Sequence, residues 1–259
     1  MPTRECLFFG SHYGPRGTET ATVIFPRSHI GPFPVLYLLH GLTQDNNSWI
    51  HNTDIERQVR ELPLVVVMPN GLRGFYTDSD SDPAANYESA VVDDMIRNIG
   101  ERCKTIASPA GRVIAGNSMG GYGAIKLALK HPDKFSAAYS ISGALRKGSS
   151  DYSSPPAKEW ADLFGPSPTG GPHDLATLAR GAIAQGSVWG RAPLSQLSID
   201  CGVDDSMLHE SRHFHTVLDE LHIPHSYVEE PGGHNWEYWN ARVPNLIAWA
   251  CAALGIETP

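Results

Sequence analysis

Arg112-Val-Ile-Ala-Gly-Asn-Ser118-Met-Gly-Gly-Tyr-Gly-Ala-Ile-Lys-Leu-Ala-Leu-Lys-His-Pro132 is the stretch whose reading decides the fold. An apolar run ends in Gly116-Asn117-Ser118-Met119-Gly120, helical spacing follows at Ile125, Ala128 and Leu129, and Pro132 closes the segment. The pattern predicts a strand, a sharp turn carrying a serine, and a helix. Small residues two positions either side of Ser118 permit a turn tight enough to lift the hydroxyl clear of the sheet. Gly120 and Gly121 let the helix begin directly behind it, so the Met119 backbone N–H and the positive helix end face the same space. An acyl-transfer nucleophile needs that arrangement. In a chain with 25 glycines a bare G-x-S-x-G also arises by accident as a glycine-rich turn with a solvated serine. The strand before it and the helix after it are what single this one out.

Outward from this stretch, 259 residues suffice for one α/β domain, and no Pro/Ser linker or composition break divides two cores. We therefore expect a single domain over 1–259. A hydrophobic fraction of 41% with 19% charged residues suits a soluble enzyme with a sizeable core. The formal net charge of −8 argues against nucleic acid or an anionic membrane as partner, since the average field repels polyanions. Composition leaves a homo-oligomer open. Met1 to Gly10 lacks the long apolar core of a signal peptide and no run approaches membrane-spanning length, so a cytoplasmic location is expected unless a leader has been removed. Cys6, Cys103, Cys201 and Cys251 are far apart, include no C-x-x-C, and read as buried free thiols.

Thr20 to Phe25 is β-branched and reads as a strand; Val35-Leu-Tyr-Leu-Leu39 is apolar on both faces, as a central parallel strand is. The polar loop His40-Gly41-Leu42-Thr43-Gln44-Asp45-Asn46-Asn47-Ser48-Trp49 follows directly. In doubly wound sheets ligands gather at the carboxyl ends of strands, so this loop faces the crevice that Ser118 faces and offers the Leu42 N–H as a second oxyanion donor; a plain connection is the alternative. His40 is expected to brace the loop. Leu64 to Met68 is another buried strand. Asp78-Ser-Asp80-Ser-Asp82 resembles a calcium loop, but Pro83 stands where the sharp-turn glycine belongs, and a solvated loop is expected. Val92, Met95, Ile96, Ile99, Cys103 and Ile106 keep helical spacing over four turns. Phe135 to Ser142 reads as a short strand. Residues 146–193 lose strand periodicity and are rich in Gly, Pro and Ser, with Trp160, Leu163, Phe164 and Trp189 interspersed, which predicts a lid or cap insertion. Leu197 to Cys201 resumes the sheet and ends at Gly202-Val203-Asp204-Asp205, where a triad acid belongs. A helix from Ser206 to Leu221, a strand from His225 to Glu229, and Pro231-Gly232-Gly233-His234 follow. The last helix runs through Trp239 to Leu254 and is kinked or restarted at Pro244.

Three strand ends thus supply Ser118, then Asp205 or Asp204, then His234, the chain order of the α/β-hydrolase fold. His234 would take the Ser118 proton and return it to the leaving group while the carboxylate fixes its tautomer. Leu42 and Met119 would hold the oxyanion, each donor being worth about 10²–10³ in rate. The chemistry requires no metal and no cofactor, only a small-molecule ester.

The chain resembles the esterase D, or putative-esterase, family of α/β-hydrolases, which includes tributyrin and feruloyl esterases, S-formylglutathione hydrolases and, more remotely, mycolyltransferases. The matching pieces are Leu38 to Leu42 with Trp49, Met68-Pro-Asn-Gly71 with Tyr76, Gly116 to Ala124, Ser140-Ile-Ser-Gly143, Cys201 to Asp205 and Gly233-His-Asn-Trp236. The resemblance implies a mostly parallel doubly wound sheet, and it favours Asp205, three residues after the strand-end glycine, as the acid. S-formylglutathione hydrolases tend to have a cysteine and a histidine where this chain has Gln44 and Tyr122, so a carboxylesterase acting on short acyl or carbohydrate-linked esters (acetyl or feruloyl type) is the preferred expectation. An S-formylglutathione hydrolase or an acyltransferase with the same residues is the alternative within the family.

Two rivals lie outside it. His209-Glu210-Ser211-Arg212-His213 satisfies H-E-x-x-H on a predicted helix, with His215, His222 or a later acid as third zinc ligand. Against zinc hydrolysis, Arg212 places a cation beside the metal. The other is a non-catalytic binding module, which has no need to keep Ser118, Asp205 and His234 together. His12, His29, His51, His131, His173, His222 and His225 read as surface or capping residues.

Overall fold

Short aliphatic runs become strands and the amphipathic segments between them become helices, in an alternation that winds the chain around a sheet. The computed structural model describes residues 3–10, 12, 18–27, 30–149, 157–189 and 196–257. Its first half runs β1 (Thr3–Phe9), β2 (Thr18–Ile24), β3 (Val35–Leu39), α1 (Ser48–Asn52), α2 (Ile55–Gln58), β4 (Val65–Pro69), α3 (Tyr87–Ser89), a π-helical stretch (Ala90–Met95) and α4 (Ile96–Arg102). Its second half runs β5 (Arg112–Asn117), α5 (Met119–Lys130), β6 (Ala137–Ile141), α6 (Ala157–Phe164), α7 (Leu175–Trp189), β7 (Gln196–Gly202), α8 (Leu208–Glu220), β8 (His225–Glu230) and α9 (Trp236–Leu254). The eight strands lie in the order β1-β2-β4-β3-β5-β6-β7-β8. From β4 to β8 every pairing is parallel; β1 and β2 add an antiparallel edge. This is the α/β-hydrolase fold.

Alternation along each strand divides the core in two. Val35, Tyr37 and Leu39 of β3 face a cluster completed by Met95, Ile99, Ile125, Leu129 and Phe214. Leu36 and Leu38 face the opposite cluster with Trp49, Ile55, Trp239, Val243 and Leu246. Helices on both faces explain why β3, β4, β5 and β6 are buried along their whole length.

Several expectations need correction. The helix expected through Ile106 ends at Arg102, because Cys103 is extended and the π-helical stretch widens the preceding turn, carrying Asp94 inward to an ion pair with Arg97 and a hydrogen bond from the His12 N–H. The Asp78 loop is not merely solvated: its carboxylate accepts the Glu88 and Ser89 N–H groups at 2.9 and 3.0 Å and so caps α3. α9 runs through Pro244 as one helix and does not restart there. All four cysteines are free, but only Cys201 and Cys251 are buried. His173 is buried and His225 has a side chain only 4% exposed, so neither is a surface residue. His29 lies outside the described residues.

The helix that carries the serine elbow is anchored by charge. Lys126 of α5 is fully buried; its Nζ lies 2.8 Å from Glu88 and donates to Thr77 at 2.7 Å. Lys130 and His131 approach the same carboxylate at 2.7 and 2.8 Å. Burial opposes ionisation of Glu88, but the surrounding Lys126, His131 and Lys130 outweigh it and hold the carboxyl below its ordinary value. A depressed folded value means that this stabilisation is present above the unfolded carboxylate pKa and is lost as pH falls through the folded one. Glu88→Gln leaves Lys126 without its counter-charge and should destabilise the fold by about 3–5 kcal/mol, read from urea unfolding at neutral pH. A shift under about 1 kcal/mol would mean that the buried ammonium is stabilised by something other than this carboxylate.

Candidate active site

Ser118 sits at the end of β5 with φ 53° and ψ −116°, a backbone conformation that few non-glycine residues adopt. Its N–H donates to the Ile141 carbonyl at 2.9 Å, and its carbonyl accepts from the Tyr122 and Ala144 N–H groups at 3.1 Å each. The turn is as tight as the glycines allow. A Cβ on Gly120 would stand 2.4 Å from the Leu39 carbonyl oxygen, and one on Gly116 would stand 2.6 Å from Gly120.

Asp205 follows β7 and His234 follows β8. The two loops are stitched together by the Asp204 N–H on the Gly232 carbonyl and the Val203 N–H on the Glu230 carbonyl, both 2.9 Å. Immediately after His234, Asn235 caps α9 by accepting the Tyr238 N–H at 3.0 Å, which fixes where the imidazole leaves the chain. The His234 ring stands edge-on to Trp239 at 5.1 Å between centroids.

These loops bring the three groups into line. His234 Nε2 is 3.0 Å from Ser118 Oγ, and His234 Nδ1 is 2.9 and 3.0 Å from the two Asp205 oxygens. A carboxylate on Nδ1 keeps the proton there and leaves the Nε2 lone pair for the serine hydroxyl. The Asp205 side chain is fully buried while that of His234 is 28% exposed, so the carboxylate is shielded and the imidazole is reachable from solvent. Burial pushes the Asp205 carboxyl up, but hydrogen bonds from His234, the Met207 N–H and Ser142 outweigh it and hold the group below the usual carboxylate value. Asp204 is exposed and enters the arrangement only through its backbone.

Leu42 lies in the loop after β3, and Met119 begins α5. Among the described residues neither N–H donates to a protein acceptor. His40 braces this loop as expected. The Gly71 N–H donates to its Nε2 at 2.9 Å, so the proton sits on Nδ1 and is donated to the Gly41 carbonyl at 2.7 Å. Burial holds this imidazole below the ordinary histidine value, which suits a neutral brace. Tyr76 Oη accepts the His40 N–H at 2.9 Å and donates to the His40 carbonyl at 3.1 Å.

Three supporting residues carry no signal of their role in the sequence. Gln44 Oε1 accepts the Gly41 N–H at 2.7 Å and the Asn117 amide at 3.2 Å, tying the Leu42 loop to the elbow. Ser142 is fully buried with φ 52°; its hydroxyl accepts from Trp239 Nε1 at 3.1 Å and helps hold the Asp205 carboxyl below its usual value. Ser142 thereby joins the acid to Trp239, which abuts the base. Losing a buried hydrogen bond to a charged group costs about 1.5–3 kcal/mol, so Ser142→Ala should lower kcat by about 10- to 100-fold with KM little changed. Ser142→Gly should fall alike despite its tolerance of positive φ; a glycine variant with wild-type kcat would assign the residue a backbone role only.

Tyr122 does not face the crevice: it is fully buried, donates to the His173 carbonyl at 2.7 Å, and packs edge-on against Phe75 and Phe164. Its presence in place of a histidine is therefore a packing difference. Helix α6 lays Trp160 and Phe164 on the same Phe75 ring at 5.3 and 5.6 Å, which docks the described part of the 146–193 segment on the α5 side of the sheet.

The H-E-x-x-H residues do not assemble. His209 is exposed and its Nδ1 binds the Ser206 carbonyl, Glu210 accepts the Arg146 N–H at 2.8 Å, and Arg212 forms a two-pronged ion pair with Glu229. Among the described residues no metal-like cluster contains His209 or His213. Among those residues also, no helix is long and apolar enough to cross a membrane.

A family model described as "Putative esterase" matches residues 17–249. An acetyl esterase of Caldicellulosiruptor saccharolyticus is 26% identical over 223 residues, 83% of this chain and 82% of that protein. An esterase of Mycobacterium tuberculosis is 30% identical over 78% of this chain but only 48% of its own length, so the chain spans about half of that relative. Among solved structures, the fluorophosphonate-binding serine hydrolase FphF of Staphylococcus aureus superposes with a TM-score of 0.84 at 26% identity, covering 96% of this chain and 98% of that one. An S-formylglutathione hydrolase of the same organism superposes at 0.82, also at 26% identity and with the same coverage.

Proposed function

The chain belongs to the esterase family matched over residues 17–249, and from that membership we propose a serine carboxylesterase that hydrolyses short acyl or carbohydrate-linked esters through an acyl-enzyme, as one domain with a lid over 146–193. The observation that carries the reading is the continuous hydrogen-bonded line from Ser118 Oγ through His234 to Asp205. His234 Nε2 removes the Ser118 proton as Oγ attacks the ester carbonyl, and the resulting imidazolium is held by the buried Asp205 carboxylate. The oxyanion is received by the Leu42 and Met119 N–H groups, fixed in place before the charge develops. His234 then gives its proton to the departing alkoxide. Water then attacks the acyl carbon and loses a proton to the same imidazole; the tetrahedral intermediate collapses, the bond to Ser118 Oγ breaks as His234 returns that proton to it, and the acid leaves.

Short acyl groups are favoured by the likeness to an acetyl esterase. The test is a panel of p-nitrophenyl esters of increasing acyl length, methyl ferulate, acetylated sugars and S-formylglutathione, each with a Ser118→Ala control. We expect the highest kcat/KM on acetyl or other short-chain esters. Highest turnover of S-formylglutathione would replace the substrate assignment but keep the serine mechanism. Equal slow hydrolysis by both proteins on every member would remove the enzymatic reading.

A further inference from the structure

A second set of chemistry-bearing side chains lies at the far end of the edge strand. His225 opens β8 and His234 lies in the loop beyond its last residue, Glu230, so the strand alone carries the two apart by about 16 Å at roughly 3.3 Å per residue. The His225 side chain is almost wholly buried, and its Nδ1 lies 2.8 Å from the Ile223 carbonyl. A carbonyl can only accept, so Nδ1 carries the hydrogen and a neutral ring keeps its lone pair on Nε2. That lone pair meets His215 Nδ1 at 2.7 Å. His215, on α8, is held by stacking on the Tyr227 ring, parallel to within 1° and 4.2 Å between centroids. Asp219, one helical turn on, reaches within 3.4 Å of His215 Nε2 and 3.8 Å of His225 Nε2. Donor atoms of all three lie within 4.8 Å of one another.

We propose that His215, His225 and Asp219 form a binding site for a borderline divalent cation of the zinc class, clamping α8 to the edge strand. Two imidazole nitrogens with one carboxylate suit zinc, nickel or copper, whereas magnesium and calcium prefer all-oxygen shells. Zinc bonds of about 2.0–2.1 Å at a tetrahedral angle set two nitrogens about 3.3 Å apart, so the histidine pair needs to open by only about 0.6 Å. The exposed Asp219 carboxylate is free to swing in as third ligand, leaving the fourth position to solvent. The Ile223 carbonyl supplies the partner that fixes a ligating imidazole's tautomer. Its distance from Ser118 gives the ion a stabilising rather than a catalytic part.

The test is calorimetric titration of the EDTA-treated full chain with zinc, nickel and magnesium chlorides, with thermal melting alongside. Wild type should take up one zinc per chain with a raised Tm, and magnesium should do nothing. Removing a direct ligand in His215→Ala should weaken zinc binding by about a hundredfold, and Asp219→Asn, on an exposed side chain that tolerates the change, by about tenfold. The His209→Ala, His213→Ala double variant should bind as wild type does. Ester turnover should be equal with and without zinc. No saturable uptake, binding unaltered in both the His215→Ala and Asp219→Asn variants, loss in the double variant instead, or turnover that requires zinc would each overturn the site.

Discussion

Replacing Ser118 with alanine is expected to lower kcat by about 10⁶-fold, the size of loss seen when a triad serine is deleted from a serine protease. The side chain contributes one hydrogen bond at the active-site end of the line, to His234 Nε2 at 3.0 Å, while the strained turn is held by backbone contacts from Ile141, Tyr122 and Ala144 that alanine keeps. The variant should therefore fold and melt close to wild type, which makes lost turnover a statement about chemistry. Measured on p-nitrophenyl acetate with active-site titration, residual activity within about a hundredfold of wild type would assign the nucleophile elsewhere.

The second large effect concerns the acid. Asp205→Asn should lower kcat by about 10⁴-fold, because an amide on Nδ1 no longer enforces the tautomer that leaves Nε2 free or balances the imidazolium. Asp204→Asn should leave turnover within a fewfold, since its side chain is exposed and only its backbone joins the loops. The pair of variants separates two neighbouring carboxylates of the same type, and reversal of their effects would move the acid by one position.

The depressed pKa of Asp205 adds a sign. Its ionised form persists to lower pH than that of an ordinary aspartate, and the stability it contributes is present above the unfolded value and lost as pH falls through the folded one. Loss of activity at mildly acidic pH is then not due to protonation of Asp205.

Ser118, Asp205 and His234 are legible because a parallel sheet delivers strand ends to one rim, so three punctuated strands in the right order are enough to place them. Ser142, Gln44 and Trp239 are not legible. Their parts depend on a positive φ after β6 and on side chains meeting across distant loops, and neither leaves a local pattern. The β1 strand is hidden by mixed charged and apolar residues of an antiparallel edge, where pairing rather than burial decides the conformation. Trp160, Leu163 and Phe164 do carry the i, i+3, i+4 spacing of α6, a signal masked by the surrounding Gly, Pro and Ser residues. The H-E-x-x-H pattern misleads for the opposite reason. Spacing puts His209 and His213 on one helix face, but what meets that face is a tertiary fact, and it is His215 that finds a second imidazole across the sheet edge.

The central claim is that Ser118 is made nucleophilic by His234, and labelling with a fluorophosphonate tests it most directly. Intact-mass and peptide mapping should find one adduct per chain, on Ser118, formed far more slowly in His234→Ala. An adduct on another residue, or labelling of the histidine variant at the wild-type rate, would contradict the account.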